Sequence, residues 1–590
     1  MQILPRRAAR GASHAAPPVR PQCANMPPQP PHDSVSTPPA SSTSQAADAA
    51  EAAASAELRH AAAQRASQST FAPLSVPVFR MLWLTWLAAN TCMWMNDVAT
   101  AWLMTTLTQS PALVALVQTA STLPVFLLGL PSGALADILD RRRYFMATQF
   151  WVAAVAVVLC AAILIGGLSA WMLLALTFAN GIGLAMRWPV FAAIVPELVS
   201  RQHLPAALAL NGVAMNASRI IGPLVAGAII ASVGSAWVFV VNAVLSIIAG
   251  FTIMRWKRAP TPQPLGRERL ASAMRVGFVF VRESPPMRAV LWRIAVFFLH
   301  ATALLALLPL VARGLAGGGA GTFTLLLASM GAGAIASASF LPRLRQRMSM
   351  DALVARGTLA QALATAAVAA APNVYVAVPA MVAAGAAWLT TANSLTVSAQ
   401  LALPNWVRAR GMSIYQMSIM GATAGGAALW GQVASLTSVR ASLGVAAISG
   451  VLVMLLVQRL VPGRHGDEDL SPALATSFKR PQADTPPATG LRLVTSIEYC
   501  INPAHAADFR AVMHDSRRAR LRAGALSWEL QHDIEDPGRY VERIVDESWT
   551  EHLRRFERIT ASDVALRDRR FAFHIGEAPP VVSRYVVEGE

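Results

Sequence analysis

The sequence predicts an all-α polytopic membrane protein, with two pseudo-symmetric halves of six transmembrane helices each, followed by a small α+β domain. Three observations favour this fold class. Apolar residues make up 54% of the 590 residues and charged residues only 14%, which is unusual for a soluble protein. Twelve apolar runs follow one another, each near the ~20 residues that span the hydrocarbon of a bilayer. Basic residues gather in alternate loops between these runs.

The apolar runs form two sets of six on either side of a more polar segment. The predicted first half, 79–256, has its runs at roughly 81–107, 112–136, 144–166, 170–194, 206–231 and 236–256. The predicted second half, 287–461, has them at roughly 288–312, 321–342, 351–371, 374–400, 409–434 and 440–461. The linker between the halves, 257–286, has apolar residues at helical spacing, which predicts an amphipathic helix at the membrane interface.

The arginines of the loops predict how the chain is oriented. They follow the even-numbered runs, whereas the other loops are almost neutral. Because basic residues in short loops stay on the cytoplasmic side, both termini are expected in the cytoplasm and the chain in the inner (plasma) membrane. The net charge of +17 therefore does not require a nucleic-acid partner. The four cysteines show no metal-ligand spacing, so we expect neither a metal nor a cofactor.

The two ends of the chain differ from its apolar centre. Residues 1–70 are rich in Pro, Ala, Ser and Gln, and such a composition predicts a disordered tail because it cannot bury a core. A polar, Pro-rich linker at 462–490 precedes residues 491–590, where alternating and helical apolar patterns follow the order βαββαβ. This order predicts a soluble ferredoxin-like domain.

The loop between the second and third runs concentrates charge between two apolar segments, so it must lie at a membrane surface. The residues that carry its pattern are Gly133, Leu135, Ala136, Asp137, Arg141 and Arg142. Their chemistry alone leaves open an ordinary positive-inside loop. Their spacing resembles the loop between the second and third spans of the major facilitator superfamily, with Ile138 in place of a basic residue and Asp140 in place of a glycine. The resemblance implies a latch with which both halves hold one conformation.

Polar side chains inside the first six runs are the predicted transport and proton-coupling residues. They are Asn90, Asp97, Asn180, Arg187 and Arg219. Because a lone carboxylate in hydrocarbon is neutral or paired, Asp97 is predicted to pair with Arg187 or Arg219. Two interpretations stay open: a cavity-lining set that binds substrate or carries a proton, or a structural ion pair that locks helices together.

The fifth run contains Gly222, Pro223 and Gly227, which allow a neighbouring helix to approach closely. This segment resembles the Gly-Pro-x-x-x-Gly signature of the fifth span in drug:proton antiporters of the same superfamily. With the stretches 195–199, 210–212, 219–223 and 542–553, the chain is similar to the branch of bacterial enterobactin exporters, many of which carry a soluble C-terminal extension. It departs from that branch at 187–189, Arg-Trp-Pro, where a cation replaces a neutral or acidic residue.

The tail domain also resembles dimeric antibiotic-biosynthesis monooxygenases, in which a helix histidine lies beside a small apolar pocket. The resemblance implies such a pocket at Trp528, Trp549 and His552. No cofactor motif accompanies these residues, so a dimerisation or ligand-sensing module is expected rather than an enzyme.

These features predict a secondary active transporter that exports a small amphipathic molecule, such as a siderophore, drug or related metabolite, by alternating access coupled to protons. No nucleotide-binding loop of the form G-x-x-x-x-G-K-[ST] is found, which argues against direct drive by ATP. The alternatives left open are a facilitator-type importer, and a membrane-anchored enzyme or ligand sensor that acts through the tail domain. The expected partners are the substrate, the lipid bilayer, protons and a second copy of the tail domain.

Overall fold

The computed structural model of the chain describes residues 71–199, 203–256, 270–462, 468–473 and 490–588. The predicted disordered tail, 1–70, and most of the predicted linker at 462–490 lie outside the described residues. So do the side chains of Gly133 and Asp137, although the helix that contains them is described.

Twelve helices of 20 residues or more occupy the described parts of the two predicted halves, and each overlaps one predicted run. The first half contains α1 (Pro77–Leu107), α2 (Pro111–Ile138), α3 (Arg141–Leu164), α4 (Ala170–Leu198), α5 (Leu204–Ser232) and α6 (Ala236–Arg255). After a shorter helix, α7 (Leu270–Glu283), the second half contains α8 (Pro285–Gly314), α9 (Ala320–Arg347), α10 (Met350–Ala370), α11 (Val374–Leu401), α12 (Arg408–Leu436) and α13 (Val439–Leu460).

Ten of these helices, within the described ranges, are long and apolar enough to cross a membrane. The other two long helices are α1 and α12. Helix α1 contains Asn90, Asn96 and Asp97, and α12 begins with Arg408 and Arg410, all of which lower the mean hydropathy. The fold is therefore that of a mostly helical, multi-pass membrane protein.

The tail domain contains a four-stranded antiparallel sheet of order β2-β3-β1-β4. Its elements are β1 (Leu493–Cys500), α14 (Ala506–Ala523), β2 (Ser527–His532), β3 (Arg539–Asp546), α15 (Trp549–Glu557), α16 (Ala561–Phe571) and β4 (Val581–Val586). Ile497 and Tyr499 alternate on β1 and pack against Phe509 and Met513 of α14, which forms the core of the domain.

The amphipathic helix of the linker is present as α7, and its place at the membrane interface stays a prediction. Its residues Phe280 and Val281 belong to the buried core of the second half. Val276 faces Gly524 of the tail domain, and α7 packs against α14 as well as α12. Helix α7 therefore joins the tail domain to the helical bundle, while its residue Phe278 is 59% exposed.

The buried core differs between the two ends of the helical bundle. We call the end at which α3 begins with Arg141 the basic end, and the opposite end the neutral end. At the neutral end one apolar cluster includes residues of both halves, such as Met104 and Val114 with Leu308 and Phe323. At the basic end each half has a cluster of its own. The halves are therefore packed together at the neutral end and have separate cores at the basic end.

Candidate functional site

Asp97 lies on α1 toward the neutral end, where the two halves meet. Its Oδ1 accepts a hydrogen bond of 3.2 Å from the hydroxyl of Ser121 on α2. Beside it is a cavity of about 20 Å³, closed on the other side by Leu305 and Ala306 of α8 in the second half. A cavity of this size holds about one water molecule. The cavity thus separates Asp97 of the first half from α8 of the second half.

The predicted ion pair of Asp97 is not formed. In the described part of the chain Asp97 makes no ion pair with Arg187 or Arg219, and Ser121 is the side chain that binds it. Both arginines instead lie over tryptophan rings. An aromatic face attracts a cation, and the sequence argument had considered only carboxylates as partners.

Arg187 is buried in the core of the first half, with 3% of its surface exposed. Its Nη1 donates to the carbonyl of Ala89 at 3.3 Å, and its guanidinium lies 5.5 Å from the ring centroid of Trp86. Its Nε and Nη2 find no acceptor among the described residues. Unsatisfied donors on a buried cation are costly, so two hydrogen-bond donors of Arg187 remain unused in this packing.

Arg219 connects the two halves. The carbon of its guanidinium lies 3.7 Å from the ring centroid of Trp388 on α11, in the second half, and 5.3 Å from that of Trp94 on α1. Sequence reasoning missed Trp388, although it directly precedes the polar stretch 390–396 of the same helix. The resulting cluster of one cation and two indole rings suits a substrate that has both polar and aromatic groups.

The two predicted asparagines lie on different helices of the first half. Asn90 is fully buried and donates to the carbonyl of Trp86 at 2.8 Å, while its Oδ1 has no donor within the described residues. Asn180 is partly buried on α4, next to Gly181, whose Cα faces the backbone of Ser121. Asn90 is therefore near Arg187, and Asn180 is near the helix that binds Asp97.

Two residues of the charged loop between α2 and α3 bind within their own half. Asp140 accepts a hydrogen bond of 2.9 Å from the backbone N–H of Arg143, which caps α3, and Arg142 donates to the carbonyl of Met254 on α6. The surroundings of Gly133 and the side chain of Asp137 are outside the described residues. The latch between the two halves stays a prediction.

The glycines of the fifth-span motif lie at two close helix contacts. A Cβ at Gly222 would be 2.5 Å from the Cβ of Trp94 on α1, within the first half. A Cβ at Gly227 would overlap the side chain of Thr324 on α9, in the second half. Pro223 lies between them inside α5. The motif thus allows one contact inside a half and one contact between the halves.

Further contacts close the neutral end. Arg313 at the end of α8 donates to the carbonyl of Thr105, and its guanidinium lies 5.8 Å from the ring centroid of Trp102 on α1. The hydroxyl of Thr119 on α2 donates to the carbonyl of Ala424 on α12 at 2.8 Å. Arg313 is a basic residue at the end of the bundle where the sequence pattern predicts almost neutral loops. Its contact with α1 joins the two halves, which gives it a structural role.

The cavity of the tail domain differs from the small apolar pocket that was predicted. His552 lines a cavity of about 190 Å³, but Trp528 and Trp549 do not. Trp549 packs beside the ring of His552 at 5.5 Å between centroids, and Trp528 donates to Glu542 at 2.9 Å. Arginine side chains make up much of the wall, because the unpredicted helix α16 contributes two of them.

Two ionisable groups set the charge beside this cavity. Burial lowers the pKa of His552 below its ordinary value, and the hydrogen bond of 2.6 Å from its Nδ1 to Asp546 offsets this only in part. Burial would raise the pKa of the Asp546 carboxyl, but Arg555 and His552 together hold it below its ordinary value. Near neutral pH the pair is therefore a neutral imidazole and a carboxylate.

Comparison with known proteins agrees with a transporter fold made of two helical halves. The chain belongs to a major facilitator family described as transmembrane secretion effector, whose sequence model matches residues 68–590. The match includes both halves and the tail domain. The predicted membership of the major facilitator superfamily is thereby confirmed.

Two curated relatives match parts of the chain. An uncharacterised transporter of the same superfamily from Bacillus subtilis, YfiS, is 27% identical over 182 residues, which are 30% of this chain and 42% of the relative. The staphyloferrin A transporter of Staphylococcus aureus is 26% identical over 159 residues, which are 26% of this chain and 40% of the relative. The chain therefore spans less than half the length of these relatives.

Solved structures show the same fold. A bacterial homologue of the human lysosomal transporter Spinster, in an inward-facing and occupied conformation, superposes with a TM-score of 0.53 at 15% identity over 66% of this chain and 97% of that chain. A POT family transporter in complex with a thioalcohol-conjugated peptide gives a TM-score of 0.54 at 11% identity, with the same coverage.

Proposed function

We propose that the chain is a twelve-span secondary active transporter that exports a small amphipathic molecule in exchange for protons by alternating access. The observation that carries this proposal is the unequal packing of the two bundle ends. One apolar cluster joins the halves at the neutral end, whereas each half has its own cluster at the basic end. A transporter that works by alternating access is sealed at one end while the other admits substrate, and this packing corresponds to the state that is open at the basic end.

The proposal assigns the basic end and both termini to the cytoplasm, in the inner (plasma) membrane of a bacterial-type cell. It rests on the positive-inside rule, since Arg141, Arg142 and Arg143 lie at that end. Helices α1 and α12 are included among the twelve proposed membrane spans, because α1 packs against α5 and α12 packs against α2. The tail domain is taken as ferredoxin-like because of its antiparallel strand order.

The substrate class is proposed from two arginines of the bundle, Arg187 in the core of the first half and Arg219 between the halves. Arg187 has two donors without acceptors, and Arg219 lies between the indole rings of Trp94 and Trp388. Such groups bind a molecule with acidic or carbonyl oxygens and an aromatic or apolar body. A siderophore, a drug or a related metabolite fits this description, and one relative is named for the siderophore staphyloferrin A.

Asp97 is the proposed proton carrier. It lies where the halves meet, next to a one-water cavity and without a cation that would keep it permanently charged within the described residues. Losing its charge on protonation makes it cheaper to bury, so the protonation state of Asp97 can bias which end of the bundle is open.

The test is proton movement in inverted membrane vesicles that contain the full chain and a preformed pH gradient. We expect one compound from a panel of siderophores, macrolides and dyes to dissipate the gradient, and Asp97→Asn to abolish this response. Asp508→Asn is the matched control, because the same substitution removes an exposed carboxylate of the tail domain.

Two outcomes would overturn the proposal. If substrate-driven proton flow persists in Asp97→Asn, this residue does not carry the proton. If no compound moves protons but cells expressing the chain take up a labelled compound from the panel, the chain is an importer.

A further inference from the structure

The cavity of the tail domain combines apolar walls with an unusual number of cations. It lies between the sheet and helices α14, α15 and α16, and has a volume of about 190 Å³. Ile497, Ile544 and Phe571 contribute apolar surface. Five arginines also line it: Arg520, Arg555, Arg567, Arg570 and Arg584. We call this cavity the arginine pocket.

Most of these arginines already have a carboxylate partner. Glu542, fully buried behind the wall, accepts from Arg520 at 3.2 Å and from Arg570 at 3.1 Å, and Asp546 accepts from Arg555 at 3.0 Å. Burial would raise the pKa of the Glu542 carboxyl, but the two arginines hold it far below its ordinary value. These ion pairs fix the wall of the arginine pocket in one geometry.

The remaining groups leave an excess of positive charge. Arg567 pairs with Asp568 at 2.8 Å, and Asp563, the one carboxylate among the described lining residues, is bound to Thr560 at the start of α16. Arg584 has no carboxylate within the described residues. Its Nε donates to Nε2 of His552 at 3.3 Å.

The contact with His552 orients Arg584. Because Nδ1 of His552 donates to Asp546 at 2.6 Å, its Nε2 is the acceptor for Arg584. The two Nη groups of Arg584, an exposed residue that lines the pocket, then have no protein acceptor in the described structure. A guanidinium held in this way is ready to bind a carboxylate through two parallel hydrogen bonds.

We propose that the arginine pocket binds a small organic carboxylate with an apolar body the size of one aromatic ring. The carboxylate binds Arg584, and the ring packs against the apolar walls. The size agrees with this class of ligand, since a cavity of about 150 Å³ holds benzene and the pocket has about 190 Å³. This binding site belongs to the tail domain and is separate from the proposed transport site.

Equilibrium dialysis of the purified full chain with radiolabelled benzoate tests the proposal. We expect saturable binding that weakens at least about tenfold in Arg584→Gln and in Val582→Trp, which fills the pocket and keeps its charge. Arg539→Gln is the matched control, because Arg539 is a half-exposed arginine of the same sheet that does not line the pocket. Benzamide, which lacks the charge, and inorganic phosphate, which lacks the ring, are expected to compete at least about tenfold less well than unlabelled benzoate.

Several results would overturn the inference. Absence of saturable binding, or binding that survives Val582→Trp, removes the site from this pocket. Competition by phosphate as strong as that by unlabelled benzoate shows a simple anion site. Binding lost in Arg219→Gln but kept in Arg584→Gln assigns benzoate to the proposed transport site. Equilibrium dialysis measures binding and not transport. Absence of benzoate binding would therefore leave the proposed transport function untouched, and absence of proton movement in vesicles would leave the arginine pocket untouched.

Discussion

Replacing Gly227 by alanine should force apart the two halves at the neutral end. Gly227 lies on α5, and a Cβ at this position would overlap Oγ1, Cγ2 and Cβ of Thr324 on α9. One atom of the overlap is Cβ itself, which no change of rotamer can move. Relief therefore requires the two helices, and with them the two halves, to separate.

The size of the effect follows from the cost of overpacking. Inserting a methyl group into a well-packed contact costs roughly 1–3 kcal/mol. The cost applies to the state in which the neutral end is closed, because α5 and α9 belong to different halves. A penalty of about this size shifts the balance between the two states about 5- to 150-fold toward the state open at the neutral end.

Distances between spin labels measure this shift. Labels at Gln109 and Ala316, both exposed at the neutral end, report on opposite halves in a chain whose four cysteines are replaced by serine. Gly227→Ala should add a longer distance, and the double variant with Thr324→Gly should restore the original one by removing all three overlapping atoms. Gly444→Ala is the control, because a Cβ there meets nothing within 4 Å. An unchanged distance in a folded Gly227→Ala protein would refute the reasoning.

Three further predictions concern contacts of known strength. Trp388→Ala removes the ring under Arg219 and should weaken the contact between the two halves by about 0.5–2 kcal/mol, whereas Trp388→Phe keeps an aromatic ring and most of this energy. The distances between the spin labels should therefore lengthen in Trp388→Ala and change little in Trp388→Phe. Asp351→Asn leaves the buried Arg293 without the carboxylate 2.6 Å away and should destabilise the purified protein by about 1–3 kcal/mol, less than a fully buried pair because Asp351 is 44% exposed. An unchanged melting temperature would contradict this, and Asp351→Glu is the control. Because burial lowers the pKa of His552, its folded form prefers the neutral ring, and the stability of the tail domain should fall as pH drops below about 6.5, by at most about 1.4 kcal/mol per pH unit. Hydrogen exchange of peptides from 491–588 in the full chain measures this slope, and His552→Gln should remove it.

The long helices were predictable because a run of about 20 apolar residues between charged loops is a strong local signal. The run predicted at 206–231, for example, is observed as Leu204–Ser232. Helix α16 was missed because its 11 residues include three arginines and two aspartates and show no apolar stripe. Its capping box, Thr560 with Asp563, is present in the sequence and could have revealed where it begins.

The contacts of the candidate site were less predictable, because they join residues that are distant in the chain. Spacing along one helix could not show that Arg219 meets Trp388 of the other half. The prediction that Asp97 pairs with an arginine failed for a related reason. Sequence spacing does not count aromatic faces as partners of a cation, although they are the partners that both arginines have.

The strength of the contacts differs between places that must move and places that need not. Within the second half, the buried Arg293 binds Asp351, and breaking this pair is expected to cost about 1–3 kcal/mol because Asp351 is 44% exposed. Between the halves, the described structure has weaker contacts: Arg219 over Trp388, Arg313 over Trp102, and a hydroxyl bound to a carbonyl. A cation over an aromatic ring contributes about 0.5–2 kcal/mol. Since alternating access moves the halves as rigid bodies, strong ion pairs inside a half do not oppose the motion, and weak contacts between the halves can be broken and re-formed in each cycle.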